Sequence, residues 1–493
     1  MPQPDLEVFI APDDAFAAFE AAVLAASTRV LASFRIFDMR MPLISEAARA
    51  VGETWFDLLL DAVQRGVRVD LVVSDFDPVM ATDLHRQAWA TVKQGAALAE
   101  LTGQGAAVRV RAALHPARPG ALPRLAFALP VLQRLRRARA ALSEAALSEA
   151  PGLRTQVPAL HPVTHHQKLA VIDHDTLYIG GLDLNPRRYD TAAHDRAARD
   201  RWSDVQVMLR DHPAVAEAAA HIDSFEEVVA GRRAPDRTTH LVRTISANRA
   251  LRLPFLSPQT LVAEVDAAHR AAFAAARHLI HLETQFMRSR PLAELLARAG
   301  RACPMLSLVL VLPALPEDAA FARSETAIGT ETRYGLDLER EALDIVRDGF
   351  GDRATIATPV QPVTAARDGL DTHAGSPLIY VHNKVLVQDD ALALVGSGNL
   401  NGRSLRWDTE AGLRIDRPDW VARLRGALHR HWWRDDDAPG WRDPATQAQA
   451  WQAEIRRNDV RRPEARRGFL VSHDTAVHAR VGHPLPLVTD DIV

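Results

Sequence analysis

The sequence is poor in cysteine and has no long apolar run. Its 493 residues include one cysteine, Cys303, so no disulfide can form within the chain. No stretch of about 18 uncharged apolar residues occurs, which argues against a membrane-spanning helix. The first residues also lack the basic and apolar segments of a signal peptide. We therefore expect a cytoplasmic protein, and peripheral contact with a membrane stays open.

An excess of basic residues is also missing. The chain has 59 basic and 62 acidic residues and a formal net charge of −3. Non-specific binding to nucleic acid depends on neutralising phosphates and usually goes with a clear basic excess, so no specific nucleic-acid partner is expected. Apolar residues make up 47% and charged residues 25%, which is typical of a globular protein and excludes a disordered chain.

Lysine is scarce: only three of the 59 basic residues are lysines. Two of them occur in the same pattern, H-x-K-x-x-x-x-D. One copy is HQKLAVID at 166–173, and the other is HNKVLVQD at 382–389. An ammonium group is a compact point charge and a guanidinium is a wide planar fork, so arginine is a poor substitute where a point charge is needed. The repeated pattern therefore indicates two equivalent functional positions.

The repeat extends upstream of these motifs. RVLASFRIFDMR, ending at Arg40, resembles RHLIHLETQFMR, ending at Arg288. Each segment is followed by a helical pattern, a second apolar run and the H-x-K motif. Helices that alternate with apolar runs predict an α/β chain with buried sheets. We predict two homologous α-β-α halves with mixed, mostly parallel sheets packed together.

The predicted boundary between the halves lies near 231–239, where the composition turns polar. The first half is placed at 1–235, the second at 236–460 and a C-terminal tail at 461–493. An arginine-rich helical insertion is expected in the first half at about 100–160. Its residues Leu132, Leu135 and Leu142 can share one helical face. Such a helix suits either an anionic membrane surface or a solvated position on the core.

The two motifs bring together residue types that suit a phosphodiester. In a strand, residues two apart point the same way, so His166 projects with Lys168 and His382 with Lys384. The lysines can stabilise the non-bridging oxygens. One neutral histidine can attack phosphorus while the other, protonated, donates to the leaving oxygen. The two lysines can provide the positive charge that a metal ion would otherwise provide, and no metal-binding pattern is evident. No cofactor is therefore expected.

Each motif is followed by a second apolar run that ends in glycine and a polar residue. Glycine there would let a ligand approach the backbone closely. Asn399 is placed to donate to an anionic oxygen, and Asp183 is its equivalent in the first half. The motif aspartates Asp173 and Asp389 lie an odd step from their histidines, which favours a structural role for both.

These motifs resemble those of the phospholipase D superfamily, in which two H-x-K-x4-D motifs come from duplicated α/β halves. The resemblance covers most of residues 5–415. The segments similar to the two motifs of eukaryotic-type lipid phospholipases D are HHQKLAVIDHDTLYIGGLDLNPRRYD and IYVHNKVLVQDDALALVGSGNLNGRSLRWDTE. The GGLDL form resembles the lipid branch and favours a lipid over a nucleic acid.

The resemblance implies a role for each matching position. His166 would be the nucleophile that forms a phosphohistidine, and His382 would be the general acid and then the base that activates water. Asp204 would orient His166, and Glu410 would orient His382. The phosphate would be held by Lys168, Lys384 and Asn399, the pocket would be lined by Gln285, and the structural carboxylates would be Asp173 and Asp389.

The implied function is a phospholipase D. This enzyme would hydrolyse a glycerophospholipid to phosphatidic acid and an alcohol, with transfer to another alcohol as a further possibility. A cardiolipin-synthase-like transphosphatidylase, a phosphodiesterase on nucleic acid and a non-catalytic scaffold are the alternatives. The sequence does not indicate the head group, the acyl chains or the oligomeric state.

Overall fold

The computed structural model describes residues 5–143, 153, 159–434, 440–441, 443–485 and 488–490. The first half contains the strands β1 (Asp5–Phe9), β2 (Arg29–Phe34), β3 (Arg68–Ser74), β4 (Val108–Ala113), β5 (Leu169–Ile172), β6 (Thr176–Gly180), β7 (Trp202–Ser203) and β8 (Gln206–Arg210). Its helices are α1 (Pro12–Ala25), α2 (Glu46–Arg49), α3 (Trp55–Gln64), α4 (Thr82–Thr102), α5 (Ala121–Ala126), α6 (Ala128–Ala141) and α7 (Pro213–Val229).

The second half repeats this plan. Its strands are β9 (Leu241–Ala247), β10 (Gln259–Ala263), β11 (Leu279–Thr284), β12 (Ser307–Val311), β13 (Ala354–Pro359), β14 (Thr372–His373), β15 (Ser376–Pro377), β16 (Tyr380–Val381), β17 (Lys384–Gln388), β18 (Leu392–Gly396), β19 (Glu410–Ile415) and β20 (Leu470–Ser472). Its helices are α8 (Glu264–Ala275), α9 (Arg290–Ala302), α10 (Glu317–Ala320), α11 (Thr330–Phe350), α12 (Pro418–Trp433), α13 (Pro444–Val460) and α14 (Ala476–Val481).

Each half is built on one large sheet. The first sheet has the order β1-β8-β6-β5-β2-β3-β4, and the second has the order β10-β9-β19-β18-β17-β11-β12-β13-β20. The run β8-β6-β5-β2-β3-β4 matches the run β19-β18-β17-β11-β12-β13 strand for strand. The predicted α/β class with two duplicated halves is therefore confirmed.

The expectation of mostly parallel sheets is wrong. Parallel pairs occur in β2-β3-β4 and in β11-β12-β13, where helices join successive strands. The other neighbours in both large sheets are antiparallel, including β5 with β6 and β17 with β18. The motif strands are joined to their partners by tight turns, and a tight turn can only join antiparallel strands.

Two predicted boundaries also change. β4 falls inside the predicted insertion at 100–160, yet it pairs with β3 as a regular strand of the sheet, so the insertion begins after Ala113. The predicted tail at 461–493 contributes β20, which pairs with β13, and α14, which packs against α11. These segments belong to the second half because they complete its sheet. The part of the predicted insertion at 144–152 and 154–158 lies outside the described residues.

The two halves meet through their sheets. One buried apolar cluster combines residues of β5 and β6 with residues of β17 and β18, among them Val171, Leu177, Val387 and Ala393. The strands that carry the motifs are therefore fixed against each other by apolar burial. Across the described residues, no helix combines the length and the apolar character needed to cross a bilayer.

The motif aspartates hold the turn after each motif strand. Asp173 has φ +52° and accepts hydrogen bonds from the backbone N–H groups of Ser27, Thr28 and Arg29 at 2.8–3.2 Å. Asp389, with φ +50°, accepts from three backbone N–H groups at 277–279. Both carboxylates thus tie their own turn to the start of a neighbouring strand, β2 or β11.

Replacing Asp173 by asparagine is expected to destabilise the fold by about 2 kcal/mol, because the N–H groups of Ser27, Thr28 and Arg29 would then meet a neutral amide in place of a charged carboxylate. These hydrogen bonds hold the pKa of Asp173 below its ordinary value. Its stabilisation is therefore present above the pKa of an unfolded aspartate and is lost as the pH falls through the folded value. The thermal midpoint of Asp173→Asn should lie below that of the wild type at pH 7, and the gap should narrow in acid. The exposed neighbour variant Asp175→Asn is the control, and an equal loss there would contradict this role.

Candidate active site

The two H-x-K segments lie where the halves meet, and each is bound to the backbone of the other half. The His166 N–H donates to the Thr409 carbonyl at 2.8 Å, and the His382 N–H donates to the Ser203 carbonyl at 2.8 Å. β7 and β16, which precede Asp204 and His382, pair in parallel. The position of each histidine is therefore set by the partner half.

The carboxylates that orient the histidines are also exchanged between the halves. His166 Nδ1 lies 3.1 Å from the Glu410 carboxylate, and His382 Nδ1 lies 2.6 Å from an Asp204 oxygen. The resemblance implied the opposite pairing, Asp204 with His166 and Glu410 with His382, and this is wrong. The reason is the crossing of the backbone, because each motif runs beside the strand start that carries the other half's carboxylate. With Nδ1 engaged, Nε2 is the ring nitrogen left for chemistry.

Hydroxyl and backbone donors fix both carboxylates. Ser404 Oγ donates to Glu410 at 2.6 Å, and Ser397 Oγ donates to its other oxygen. Asp204 accepts from the Val205 N–H at 3.0 Å. Such contacts hold each imidazole in one tautomer and one orientation.

A glycine directly after β6 leaves room for the Asp204 carboxylate. A Cβ on Gly181 would lie 1.9 Å from Asp204 Oδ1, so a side chain there would displace the carboxylate. In the second half, a Cβ on Gly396 would lie 2.5 Å from the Gly412 Cα. The expectation that glycine admits a ligand is corrected, because the space is filled by the protein itself.

The motif lysines lie behind the histidines. Lys168 is fully buried and its Nζ donates to the His166 carbonyl at 2.6 Å, and Lys384 Nζ donates to the His382 carbonyl. Neither lysine lines the open cavity. Each Nζ instead lies against the main chain of its own histidine.

The histidines line one cavity of about 720 Å³. Asn399 and Gln285 also line this cavity. Asn399 Nδ2 donates to Gln285 Oε1 at 3.3 Å, and Gln285 Nε2 donates to the Tyr380 hydroxyl at 3.0 Å. Asn399 Oδ1 is buried without a hydrogen-bond partner. The cavity that His382 lines therefore has the polar side chains of Asn399 and Gln285 in its wall.

Several arginines that the sequence does not single out also line this cavity. Its wall includes the guanidinium-bearing residues Arg35, Arg188, Arg288 and Arg403. Arg35 lies 3.8 Å from Asp183, whose Oδ1 accepts from the Ile36 N–H at 3.0 Å. Arg188 stacks 3.7 Å over the Trp202 ring and is almost fully buried. Asp183 thus positions a cation rather than contacting the cavity. The sequence contains many arginines, and no motif or spacing sets the cavity arginines apart from the others.

Burial and positive neighbours set the protonation of the site. Burial and the charge of Lys168 hold the pKa of His166 well below its ordinary value, and burial and Lys384 do the same for His382. Burial lowers the pKa of Lys384 to about 7 and raises the pKa of both Asp204 and Glu410 to about 7. The lowered pKa of His166 favours its neutral form, which is the state of a nucleophile.

Part of the second half matches a known protein family. Residues 361–432, which include His382, Lys384, Asn399 and Glu410, match the family described as "Cardiolipin synthase, PLD-like domain". Phospholipase D zeta 1 of Arabidopsis thaliana is 26% identical over 185 residues, which cover 33% of this chain and 17% of that protein. The matched part is thus a small share of the relative's length.

A solved structure resembles the whole chain. The phosphatidylserine synthase of Haemophilus influenzae Rd KW20 superposes with a TM-score of 0.52 over 92% of this chain and 93% of that one, at 12% identity. The polyphosphate kinase of Porphyromonas gingivalis gives a TM-score of 0.42 over 87% and 50% at 10% identity. The chain thus shares its fold with the synthase, and residues 361–432 of its second half match the PLD-like family model.

Proposed function

We propose that this protein is a phospholipase D-type phosphodiesterase that acts on a glycerophospholipid without a metal ion. One observation carries the proposal. Two H-x-K motifs, one from each half, place their histidines in one cavity, and each histidine is backed by the other half's carboxylate. That arrangement supplies a nucleophile, an acid–base partner and fixed positive charge at one point.

The reaction proceeds in two steps. His166 Nε2 attacks phosphorus, the bond to the leaving alcohol breaks, and His382, which enters this step protonated, gives the alcohol oxygen its proton. In the second step, His382 takes a proton from water, the water oxygen bonds to phosphorus, and the bond to His166 breaks. Lys168, Lys384 and Arg35 stabilise the charge on the phosphoryl oxygens. The products are phosphatidic acid and the free alcohol.

Transfer to an alcohol is the second candidate. If an alcohol takes the place of water in the second step, the product is a new phosphodiester. The match of residues 361–432 to the PLD-like domain of cardiolipin synthase favours this outcome. Both candidates use the same phosphohistidine and differ only in the acceptor.

An assay of products separates these candidates. The protein is incubated in EDTA with phosphatidylcholine and phosphatidylethanolamine, and separately with phosphatidylglycerol. Hydrolysis predicts phosphatidic acid and free head group, whereas transfer predicts cardiolipin from phosphatidylglycerol, detected by mass spectrometry. No product from any lipid, or turnover that requires added metal, would contradict the proposal. Nicking of plasmid DNA at a higher rate would point to a nucleic-acid substrate instead.

The pH profile of kcat/KM should form a narrow peak near pH 7. The Asp204 and Glu410 carboxyls, whose pKa is raised to about 7, lose the negative charge that supports the imidazolium as the pH falls. Lys384, whose pKa is lowered to about 7, loses its positive charge as the pH rises. Activity therefore declines on both sides, and kcat/KM reports the free enzyme. A constant kcat/KM from about pH 6 to about pH 8 would contradict this account.

A further inference from the structure

The mouth of the cavity carries an exposed apolar surface formed by both halves. In the first half its members are Leu122, Leu125, Phe127, Leu129 and Leu132 on α5 and α6 and the turn between them. In the second half they are Leu251, Leu253 and Phe255, in the segment before β10. We name this set the apolar rim. Large exposed leucines at neighbouring positions on a helix are unusual for a solvated surface.

Backbone hydrogen bonds join the two parts of the apolar rim. The Gly120 N–H donates to the Phe255 carbonyl at 2.8 Å, and the Leu122 N–H donates to the Leu253 carbonyl at 3.1 Å. The opposite face of α6 is buried, because Val131 and Leu135 pack against Val79. Helix α6 therefore packs one apolar face against the core and leaves Leu129 and Leu132 exposed to solvent.

The apolar rim adjoins the candidate active site. Phe127 and Arg134 line the same cavity as His166 and His382, together with Met80. The rim and the candidate active site are thus contiguous through Phe127.

The two segments that carry the rim have basic residues and no acidic ones. Residues 101–143 contain eight arginines and no aspartate or glutamate, although the whole chain has a net charge of −3. Residues 237–263 also lack acidic residues. Within the described residues, the exposed arginines of α5 and α6, which are Arg124, Arg134, Arg136 and Arg137, form no ion pair. Leucines beside unpaired arginines are the pattern of a helix that lies in the head-group region of an anionic bilayer.

We propose that the apolar rim is an interfacial docking surface for an anionic bilayer, which presents the cavity directly to lipid. The leucines and Phe255 enter the head-group and acyl boundary, and the arginines contact lipid phosphates. The purpose of this docking surface rests on the proposed function, because only a lipid enzyme needs its cavity at the bilayer. Binding to vesicles, however, can be measured without any turnover. A nucleic acid would engage the arginines alone and gives no role to the leucines.

The test is sedimentation of the full chain with vesicles of phosphatidylcholine, with or without about one-third phosphatidylglycerol. We expect binding to the anionic vesicles. The triple variant Leu125→Ser, Leu129→Ser, Leu253→Ser should bind at least about tenfold more weakly. The triple variant Arg124→Gln, Arg136→Gln, Arg137→Gln should lose about a hundredfold on anionic vesicles and little on neutral ones.

Leu101→Ser is the matched control. Leu101 and Leu129 are both 66% exposed, but Leu101 lies at the far end of α4, roughly 25 Å along the helix from the cavity-lining residue Leu84. This variant should bind vesicles as the wild type does. Equal turnover of dibutyrylphosphatidylcholine, a soluble substrate, by the wild type and the leucine variant would show that the fold is intact.

Several results would overturn the docking surface. They are a wild type that stays in the supernatant, a leucine variant that binds like the wild type, and an equal loss in Leu101→Ser. A wild-type dimer that the leucine substitutions convert to a monomer would assign the rim to self-association instead. Vesicle binding without turnover would refute only the proposed function, and turnover of the soluble substrate without vesicle binding would refute only the docking surface.

Discussion

His166→Ala and His382→Ala are each expected to lower kcat by roughly 10⁵-fold or more, because each removes a group that forms or breaks a bond in the reaction. Both side chains line the cavity, so neither substitution opens a hole in the core. The measurement is release of the head group from the lipid, at enzyme concentrations that allow a single turnover to be seen.

His165→Ala is the matched control for this loss. His165 precedes His166, is buried, and contacts the Thr409 hydroxyl at 2.8 Å, but it does not line the cavity. Its kcat should stay within about tenfold of the wild type. An equal loss in His165→Ala and His166→Ala would indicate a folding defect and contradict the role of His166.

Glu410→Gln and Asp204→Asn are expected to lower kcat by about 10²- to 10⁴-fold, because an amide neither stabilises the imidazolium nor secures the tautomer. The side chains keep their shape, so the loss reports the charge. The exchange of carboxylates between the halves makes a finer prediction. Glu410→Gln should further lower the pKa of His166, and Asp204→Asn should further lower that of His382.

Nitrogen NMR of labelled histidine measures these two pKa values separately. The crosswise pairing predicts a change at His166 in the Glu410 variant and a change at His382 in the Asp204 variant. Ser404→Ala, which removes one donor to Glu410 and leaves its charge, should move the pKa of His166 less than Glu410→Gln does. The reverse assignment of the two shifts would contradict the geometry.

Much of the fold could be predicted from local pattern. The apolar runs at RVLASF and SLVLV became β2 and β12, and the helical pattern WFDLLLDAVQ became α3, because buried strands and amphipathic helices each have a distinct period. The strand directions could not be predicted from the same pattern. A strand buried on both faces has the same apolar composition whether its neighbour is parallel or antiparallel.

In the candidate site, too, local features could be predicted from the sequence and contacts between distant segments could not. The spacing of His166 with Lys168 and of His382 with Lys384 is local, and the sequence identified it. The exchange of Asp204 and Glu410 depends on how the halves cross, which no spacing along the chain encodes. Among so many arginines, Arg35 and Arg188 carry no distinguishing pattern, so only the fold identifies them as lining the cavity.

A covalent adduct on His166 tests the central claim most directly. The His382→Asn variant is mixed with a phosphatidyl ester of p-nitrophenol, whose leaving group departs without a proton, and is digested at alkaline pH for mass spectrometry. The account predicts a burst of one p-nitrophenolate per protein and a phosphatidyl group on His166. An adduct on any other residue, or continued turnover in this variant with no adduct, would contradict it.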